Sequence, residues 1–495
     1  MCYPDLIKRD STLGIHLVIN EERYMIGKFS LFNGLTAGLL NEGSTVIFSP
    51  YNLSVGILKR HKDIDLNKYL RDCEKLSCFG IPSNQGPSLP DNFDLTLLIT
   101  NDCNLRCKYC FASGGEKKDY MSTDIALNIV NKVFHMTGRK NIKVSFFGGE
   151  PTLNFDVING VVSHVKTIAS SLNKDYSFYI TTNGVMSRRI LEFLADNDFV
   201  FVISSDGIPT LHNFLRPTSS GSHSSKYVEN TIDILVKRNI PFKVRSTISQ
   251  FNVDYMTENV RYFAGLGVKI IHYEPITHAG RGKSNDTTLE RAEIDKYINN
   301  FTTALDVAKE YNVSIISSSY MNFLAPAQKF CDAMAGSRLV GSYNGDITLC
   351  VEVQDACHPY SSNAIVGNTN EKTGQMYFDY NKYDRVLKNV TIEQNPDCKQ
   401  CFAKFSCGGG CPVKNFYSSD CKMVDNYRCN LTKGIVGNIL ERIYQESVVD
   451  SNLLYKSNSI TLYRMRIPQE IWMKRKVSKI SNVLAEIIID NEIMV

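Results

Sequence analysis

The sequence predicts an α/β fold: a partial (β/α)6 TIM-like barrel, with a small α+β domain before it and a Cys-rich domain after it. Three observations predict this. Between residues 93 and 280, six short apolar runs of strand length alternate with five segments of helical spacing, the pattern of parallel strands joined by crossover helices. Each apolar run ends in a polar or Gly-rich tip: TNDCNLRC, FFGGEP, TTNG, SSDG, STIS and YEP. Twelve of the 15 cysteines fall in two patches, three within 103–110 and nine within 331–429, with none in 111–330.

Each element has its own justification. The run 93–100 (FDLTLLIT) is a buried-type strand. Further strands are expected at 143–147, 177–182, 199–204, 242–248 and 268–273. Helices are expected at 123–138, which ends at a Gly, and at 155–172, 188–197, 226–238 and 255–267. Right-handed crossovers wind such units into a barrel or part of one. The strand tips then share one face, and that face carries the chemistry.

The expected organisation follows from shifts in this rhythm. Residues 1–90 alternate poorly, with short strand-like stretches at 15–19 and 45–48, and form an N-terminal domain. The segment 81–92 (IPSNQGPSLPDN) reads as a linker. The barrel occupies 91–285, and a bridging region without βα rhythm covers 286–330. A Gly- and Cys-rich domain at 331–435 is organised by metal rather than by a large core. Residues 436–495 hold the end of one amphipathic helix, near 434–446, and a mixed tail.

Composition excludes several classes. Of 495 residues, 43% are hydrophobic and 21% charged, as in ordinary globular chains. The net charge of +4 is too small to imply nucleic-acid or membrane-surface binding. No run of about 18 apolar residues occurs, and the opening MCYPDLIKRDS has no signal core, so a cytoplasmic protein is expected. Cytosolic thiols stay reduced, so the cysteine patches read as metal sites rather than disulfides.

The first patch is Cys103-x3-Cys107-x2-Cys110, directly after the first strand. Three thiolates on one loop can hold three irons of a 4Fe–4S cluster and leave the fourth iron open. Zinc is the alternative, but a structural zinc site wants four ligands and no fourth lies nearby. A zinc-stabilised, non-catalytic interaction module therefore stays in view as a second class of function.

CNLRCKYC resembles the signature of radical S-adenosylmethionine (SAM) enzymes, with Tyr109 as the aromatic before the last Cys. The resemblance covers roughly 93–280. It implies that the open iron binds SAM, and that SAM is cleaved to a 5′-deoxyadenosyl radical which abstracts hydrogen from substrate. Gly148-Gly149-Glu150-Pro151 matches the family's GGE motif, whose carboxylate pairs with the SAM ammonium. Asn183, Ser204 and Asp206 stand at later tips where the family places further SAM contacts. Arg216, in HNFLRP, occupies a common family position without an assigned role.

The second patch resembles a SPASM domain, which implies two further 4Fe–4S clusters and three in all. Residue by residue, Cys331, Cys350 and Cys411 would hold the first auxiliary cluster. Cys398, Cys401, Cys407 and Cys429 would hold the second, with Cys421 the rival for the last place. Some family members supply another Cys six residues after the first; here that position is Ser337. Either Cys357 is recruited or one iron stays open. The competing reading of 398–411 is a zinc ribbon. Cys2, Cys73 and Cys78 read as ordinary buried residues, and His212 and His272 as structural or substrate-lining. Trp472 reads as packing and 474–479 as a solvated face.

Two subgroups are close. Anaerobic sulfatase maturases place an Asp after the equivalent of Cys350, where this chain has Val351. CKQCFAKFSCGGGC instead resembles maturases that build thioether crosslinks in ribosomally made peptides. The implied partners are a precursor peptide, leader plus core, and a reductant such as ferredoxin or flavodoxin. The N-terminal domain would recognise the leader by adding it as a strand to a sheet edge.

Overall fold

The computed structural model describes residues 92–283, 286–319, 327, 329–370, 373–392, 394–399, 401–417 and 425–449, and short strands at 9–10, 14–15, 29–32, 35–39, 45–48, 55–58 and 461–463. The linker expected at 81–92 lies outside the described residues except for Asn92, and Cys2, Cys73, Cys78, Cys421 and Trp472 lie wholly outside them.

Seven parallel strands form the central sheet, one more than the sequence reading gave. They are β1 (Asn92–Thr100), β2 (Asn141–Gly148), β3 (Asp175–Thr182), β4 (Val200–Ser204), β5 (Phe242–Ile248), β6 (Ile270–Pro275) and β7 (Ser314–Ile316). They pair in chain order, each parallel to the next. Helices α1 (Thr123–Met136), α2 (Phe155–Ser171), α3 (Arg188–Asp196), α4 (Pro209–Leu215), α5 (Ser225–Lys237), α6 (Met256–Gly265) and α7 (Ile294–Glu310) connect them. The expected bridging region at 286–330 thus needs correction: α7 and β7 continue the βα rhythm. The α7 stripe Tyr297, Ile298, Phe301, Ala304, Val307 and Ala308 is buried in the main core.

The helices start where local chemistry permits. Ser122 and Ser187 accept hydrogen bonds from Ile125 N and Ile190 N and cap α1 and α3, each cap contributing about 1 kcal/mol. Strand alternation divides the sheet into two faces. Ile142, Val144 and Phe146 of β2 and Val244 and Ile248 of β5 join the helices in the core. Lys143, Ser145, Lys243, Arg245 and Thr247 lie on the opposite face. That face is concave: Lys243 on β5 feels the charges of Lys143 on β2 and of Arg338, although two strands separate β5 from β2.

The sheet does not end at β1. Strand β8 (Arg338–Gly341) pairs parallel to β1, and β9 (Asp346–Thr348), β10 (Ile365–Thr369) and β11 (Met376–Phe378) follow antiparallel. The seam is fixed by Asp94, which bonds Lys143 Nζ at 2.7 Å and Arg338 Nη2 at 2.9 Å. Burial alone would raise the Asp94 carboxyl, but the two cations overcome it and hold it below its usual value. The amphipathic helix expected near 434–446 spans Asn426–Val449.

Near the N-terminus the strands Phe29–Phe32, Leu35–Leu39, Thr45–Phe48 and Val55–Leu58 form an antiparallel meander. Thr461–Tyr463 from the C-terminal tail pairs with its Val55–Leu58 edge. Among the described residues no helix is long and apolar enough to cross a membrane.

Candidate functional site

The loop after β1 is stapled from three sides. Arg106 N and Lys108 N donate to Pro217 O and Leu215 O, and Ser219 N donates to Asn104 O. Arg106 Nη1 and Nη2 donate to Cys103 O at 2.6 Å and Gly115 O at 2.9 Å. Arg281 Nε donates to Cys107 O at 2.9 Å, and its backbone N to Cys110 O. The glycine beside Arg281 is obligatory: Gly280 has φ +53°, and a Cβ there would lie 2.4 Å from Cys110 O.

This scaffold brings Cys103, Cys107 and Cys110 together, each half-buried. Every sulfur accepts a donor: Leu105 N to Cys103 Sγ at 3.4 Å, Gly114 N to Cys110 Sγ at 3.3 Å, and Arg216 Nη1 to Cys107 Sγ at 3.8 Å. Burial and the neighbouring Cys107 push the Cys103 thiol up to about 12, and burial takes Cys107 to about 11 against the pull of Arg216. Three crowded thiols ringed by donors, of which Cys103 and Cys107 resist ionisation, suit a cationic group that would take them as thiolates.

The second tip packs directly on this loop. Gly149 N and Glu150 N donate to Thr100 O and Asp102 O, both at 2.8 Å. A Cβ on Gly149 would stand 2.1 Å from Asp102 O. The glycines of the motif therefore let the Cys loop approach β2. Glu150 is 0% exposed. Its Oε1 accepts from Thr152 N, Thr152 Oγ1 and Thr182 Oγ1, and its Oε2 from Asn183 N at 2.7 Å. Among the described residues it makes no ion pair, and burial raises its carboxyl above the usual range. Pro151 opens the 3-10 turn Pro151–Asn154 behind it.

The later tips divide their work. The Asn183 amide donates to Asn104 Oδ1 at 2.7 Å and reaches Cys103 Sγ at 3.7 Å. Asp206 is 0% exposed and fully engaged. It accepts from Arg216 Nε at 2.8 Å, Arg216 Nη2 at 3.2 Å, Thr247 N at 3.1 Å and the Tyr109 hydroxyl. Expected as a cofactor contact, its carboxylate here holds Arg216, and the Tyr109 hydroxyl is held by Asp206. Ser204 lies beside Arg245 in the sheet register. His212 packs beneath, between Ser205 Oγ and Ser224 Oγ, and burial lowers its pKa to about 4.

The described C-terminal cysteines include two sets of near neighbours. Cys331, Cys350 and Cys411 lie within reach of one another's charge, beside Glu352, and Lys414 offsets the burial of Cys411. Cys398, Cys401, Cys407 and Cys429 are likewise mutual neighbours, with Lys433 against Cys429. Cys357 is exposed and does not join the first group. Ser337 is buried, and its hydroxyl donates to Asp332 O at 3.1 Å. Among the described residues no three His, Cys, Asp or Glu are set to hold a single metal ion.

Four further residues were missed by sequence reasoning. Arg281 clamps the Cys loop, and its one signal was the flanking pair Gly280 and Gly282. Glu274, at the β6 tip, meets Arg428 at 2.8 Å and Lys414 at 3.5 Å. Burial would raise Glu274, but Arg428 and Lys414 hold it well below the usual range. This buried network joins the barrel tips to both C-terminal cysteine groups, since Lys414 follows Cys411 and Arg428 precedes Cys429.

Comparison with known proteins bears on this geometry. Residues 97–262 match the Radical SAM superfamily model. The radical SAM cyclopropyl synthase TigE of Paramaledivibacter caminithermalis is 24% identical over 372 residues, 70% of this chain and 74% of its own. The cysteine-type anaerobic sulfatase-maturating enzyme of Clostridium perfringens is 22% identical over 364 residues, 68% of this chain and 94% of its own. Native anSMEcpe with bound AdoMet and Cp18Cys peptide has a TM-score of 0.58 at 18% identity, covering 72% of this chain and 99% of that one. That likeness establishes a shared fold.

Proposed function

This chain carries a radical SAM domain and is an enzyme, and from that premise we propose that it modifies a ribosomally made peptide, closing a thioether between a Cys sulfur and a carbon. The observation that carries the reading is Glu150 beside Cys103. A buried carboxylate with no ion pair among the described residues sits one strand tip from three donor-ringed thiols. Those are the two features needed to hold a 4Fe–4S cluster and the ammonium of SAM together.

Cys103, Cys107 and Cys110 would hold the cluster, and Glu150 and Asn183 would orient SAM. Bound together, the two supply one-electron cleavage of SAM and a hydrogen-atom acceptor. The chain's own part is to position and shield. Arg281 and Arg106 fix the Cys loop, Asp206 aims Arg216 at Cys107, and the buried tips exclude water. Cys331, Cys350 and Cys411, and the quartet Cys398, Cys401, Cys407 and Cys429, are the proposed seats of two auxiliary clusters. A leader peptide would add as a strand to the N-terminal meander, whose Val55–Leu58 edge already carries Thr461–Tyr463. A ferredoxin or flavodoxin would supply the electron.

A second reading, formylglycine formation of the sulfatase-maturase type, is favoured by one feature. That reading asks for an acid beside Cys350, and Glu352 stands two residues on with Oε2 buried and without a hydrogen bond among the described residues. The test of the radical reading is anaerobic reconstitution followed by reduction. The chain should release 5′-deoxyadenosine, and Cys103, Cys107 and Cys110 replaced together by Ala should not. Release by the triple variant would refute the reading.

A further inference from the structure

We propose that the concave face of the sheet holds a carboxylate site for the substrate peptide, built on Arg245 with Lys243 beneath it. The inference rests on the peptide-modifying reading and names the chemistry its substrate must present: an aspartate, a glutamate or a chain-terminal carboxylate.

The register fixes the placement. Ser204, Arg245 and His272 stand side by side across β4, β5 and β6. Lys243 lies two residues before Arg245 on the same face, beside Val202, so the two cations are roughly 7 Å apart along the strand. Across the hollow are Lys143 from β2 and Arg338 from β8, with Asp94 of β1 between them, and beside them on the adjoining strand β6 are His272 and Glu274. Neither of these two carboxylates is available. Asp94 is taken by Lys143 at 2.7 Å and Arg338 at 2.9 Å. Glu274 is taken by Arg428 at 2.8 Å, Lys414 at 3.5 Å and the Ser318 hydroxyl at 2.8 Å. His272 Nε2 stands 3.4 Å from Glu274 Oε2 and makes no hydrogen bond.

Among the described residues, Lys243 Nζ and the Arg245 guanidinium have neither a hydrogen bond nor an ion pair, though both are only partly exposed. Burial and then Arg245 depress Lys243 to about 8. Two like charges left unpaired in a half-desolvated hollow repel each other, and an anion set between them removes that repulsion. A guanidinium fork matches a carboxylate in two parallel bonds, which selects carboxylate over a neutral amide. The position is functional as well as charged. Arg245 is one step below Thr247, whose N bonds Asp206, the carboxylate that aims Arg216 at Cys107.

SAM also carries a carboxylate, and the experiment separates the two sources. The full chain, anaerobically reconstituted with iron and sulfide, is titrated calorimetrically with N-acetylglutamate N-methylamide and with its glutamine analogue, with and without saturating SAM. The glutamate probe should bind about tenfold more tightly than the glutamine probe. Arg245→Gln should erase that ratio, and Arg245→Lys, which keeps the charge, should retain part of it and controls for misfolding. A ratio of one in the parent chain, or a ratio that survives Arg245→Gln combined with Lys243→Gln, overturns the proposal. So does Arg245→Gln weakening SAM instead of the probe, which would assign the guanidinium to the SAM carboxylate. Release of 5′-deoxyadenosine from the same samples keeps the two readings apart. A parent chain that cleaves SAM but shows a ratio of one loses this inference alone.

Discussion

Arg216 Nη1 lies 3.8 Å from Cys107 Sγ while Asp206 grips the same guanidinium at 2.8 and 3.2 Å. A permanently charged group is thereby buried against the thiol loop with its counter-ion supplied from the β4 tip. The pair is ten residues apart, bridged by α4, whose Pro209 start and His212 anchor set the return of the chain.

The first prediction tests that pairing. Asp206→Asn strands the Arg216 charge in a buried setting and should cost about 3–5 kcal/mol of stability. Urea unfolding of the apo chain measures it. Asp206→Leu with Arg216→Met removes both charges and should recover part of the loss. A single-variant cost under about 1 kcal/mol would show the guanidinium to be solvated instead.

The second concerns Gly149. A Cβ there would lie 2.1 Å from Asp102 O and 2.7 Å from Asn101 O, both backbone atoms that cannot yield cheaply. Gly149→Ala should push β2 away from the Cys loop and break the Glu150 N to Asp102 O bond. Reconstituted iron should fall from about twelve to about eight per chain, four irons belonging to each cluster. Retention of all twelve would mean the loop does not need that contact.

Much of this was legible because periodicity is local. Strand ends from 93 to 248 fall within about two residues of where apolar alternation placed them. Helix α7 was missed although Tyr297, Phe301, Ala304 and Ala308 keep helical spacing, because β7 after it is only three residues long and gives no strand pattern to continue the βα rhythm. The Cys103, Cys107 and Cys110 set was visible as spacing, and the C-terminal sets only through the family resemblance. What spacing cannot show is a partner chosen by tertiary packing. Glu274 and Arg428 are 154 residues apart, and neither flanking sequence marks the other. Asp206 looked like a ligand-facing acid because a strand-tip Asp usually is; only the fold reveals that Arg216 returns to it.

The third prediction is a pH dependence. Burial lowers both His212 and His272 to about 4 from a usual 6.5. A His with a depressed folded pKa binds its proton mainly in the unfolded chain. Its contribution is therefore present above about 6.5 and lost as pH falls towards 4. With two such groups the slope should reach about 2.7 kcal/mol per pH unit inside that window. Urea midpoints at pH 7, 6 and 5 measure it, and His212→Gln should roughly halve the slope. A flat profile from pH 7 to 5 would contradict the buried neutral state of both rings.

The last prediction concerns the first C-terminal cysteine group, for which the chain offers three clustered thiols and two doubtful fourths. Ser337 holds the position where a further Cys would stand, but its hydroxyl is spent on Asp332 O, and an alcohol is a poor iron ligand beside soft sulfur. Cys357 is exposed, and its backbone N is fixed to Asp355 Oδ1 at 2.9 Å, which holds this turn in place. Cys357→Ala should therefore keep about twelve irons and full peptide modification. The iron left without a protein ligand would be free for a substrate thiolate. A Cys-containing substrate peptide should then perturb the resonance signal of the reduced auxiliary cluster, and the matching Ser peptide should not. Visible absorption gives the control, because iron–sulfur charge transfer near about 400 nm distinguishes these sites from colourless zinc. If Cys357→Ala instead loses about four irons, the loop must swing inward on cluster binding. The group would then be closed by protein, and a direct substrate thiolate would have no place on it.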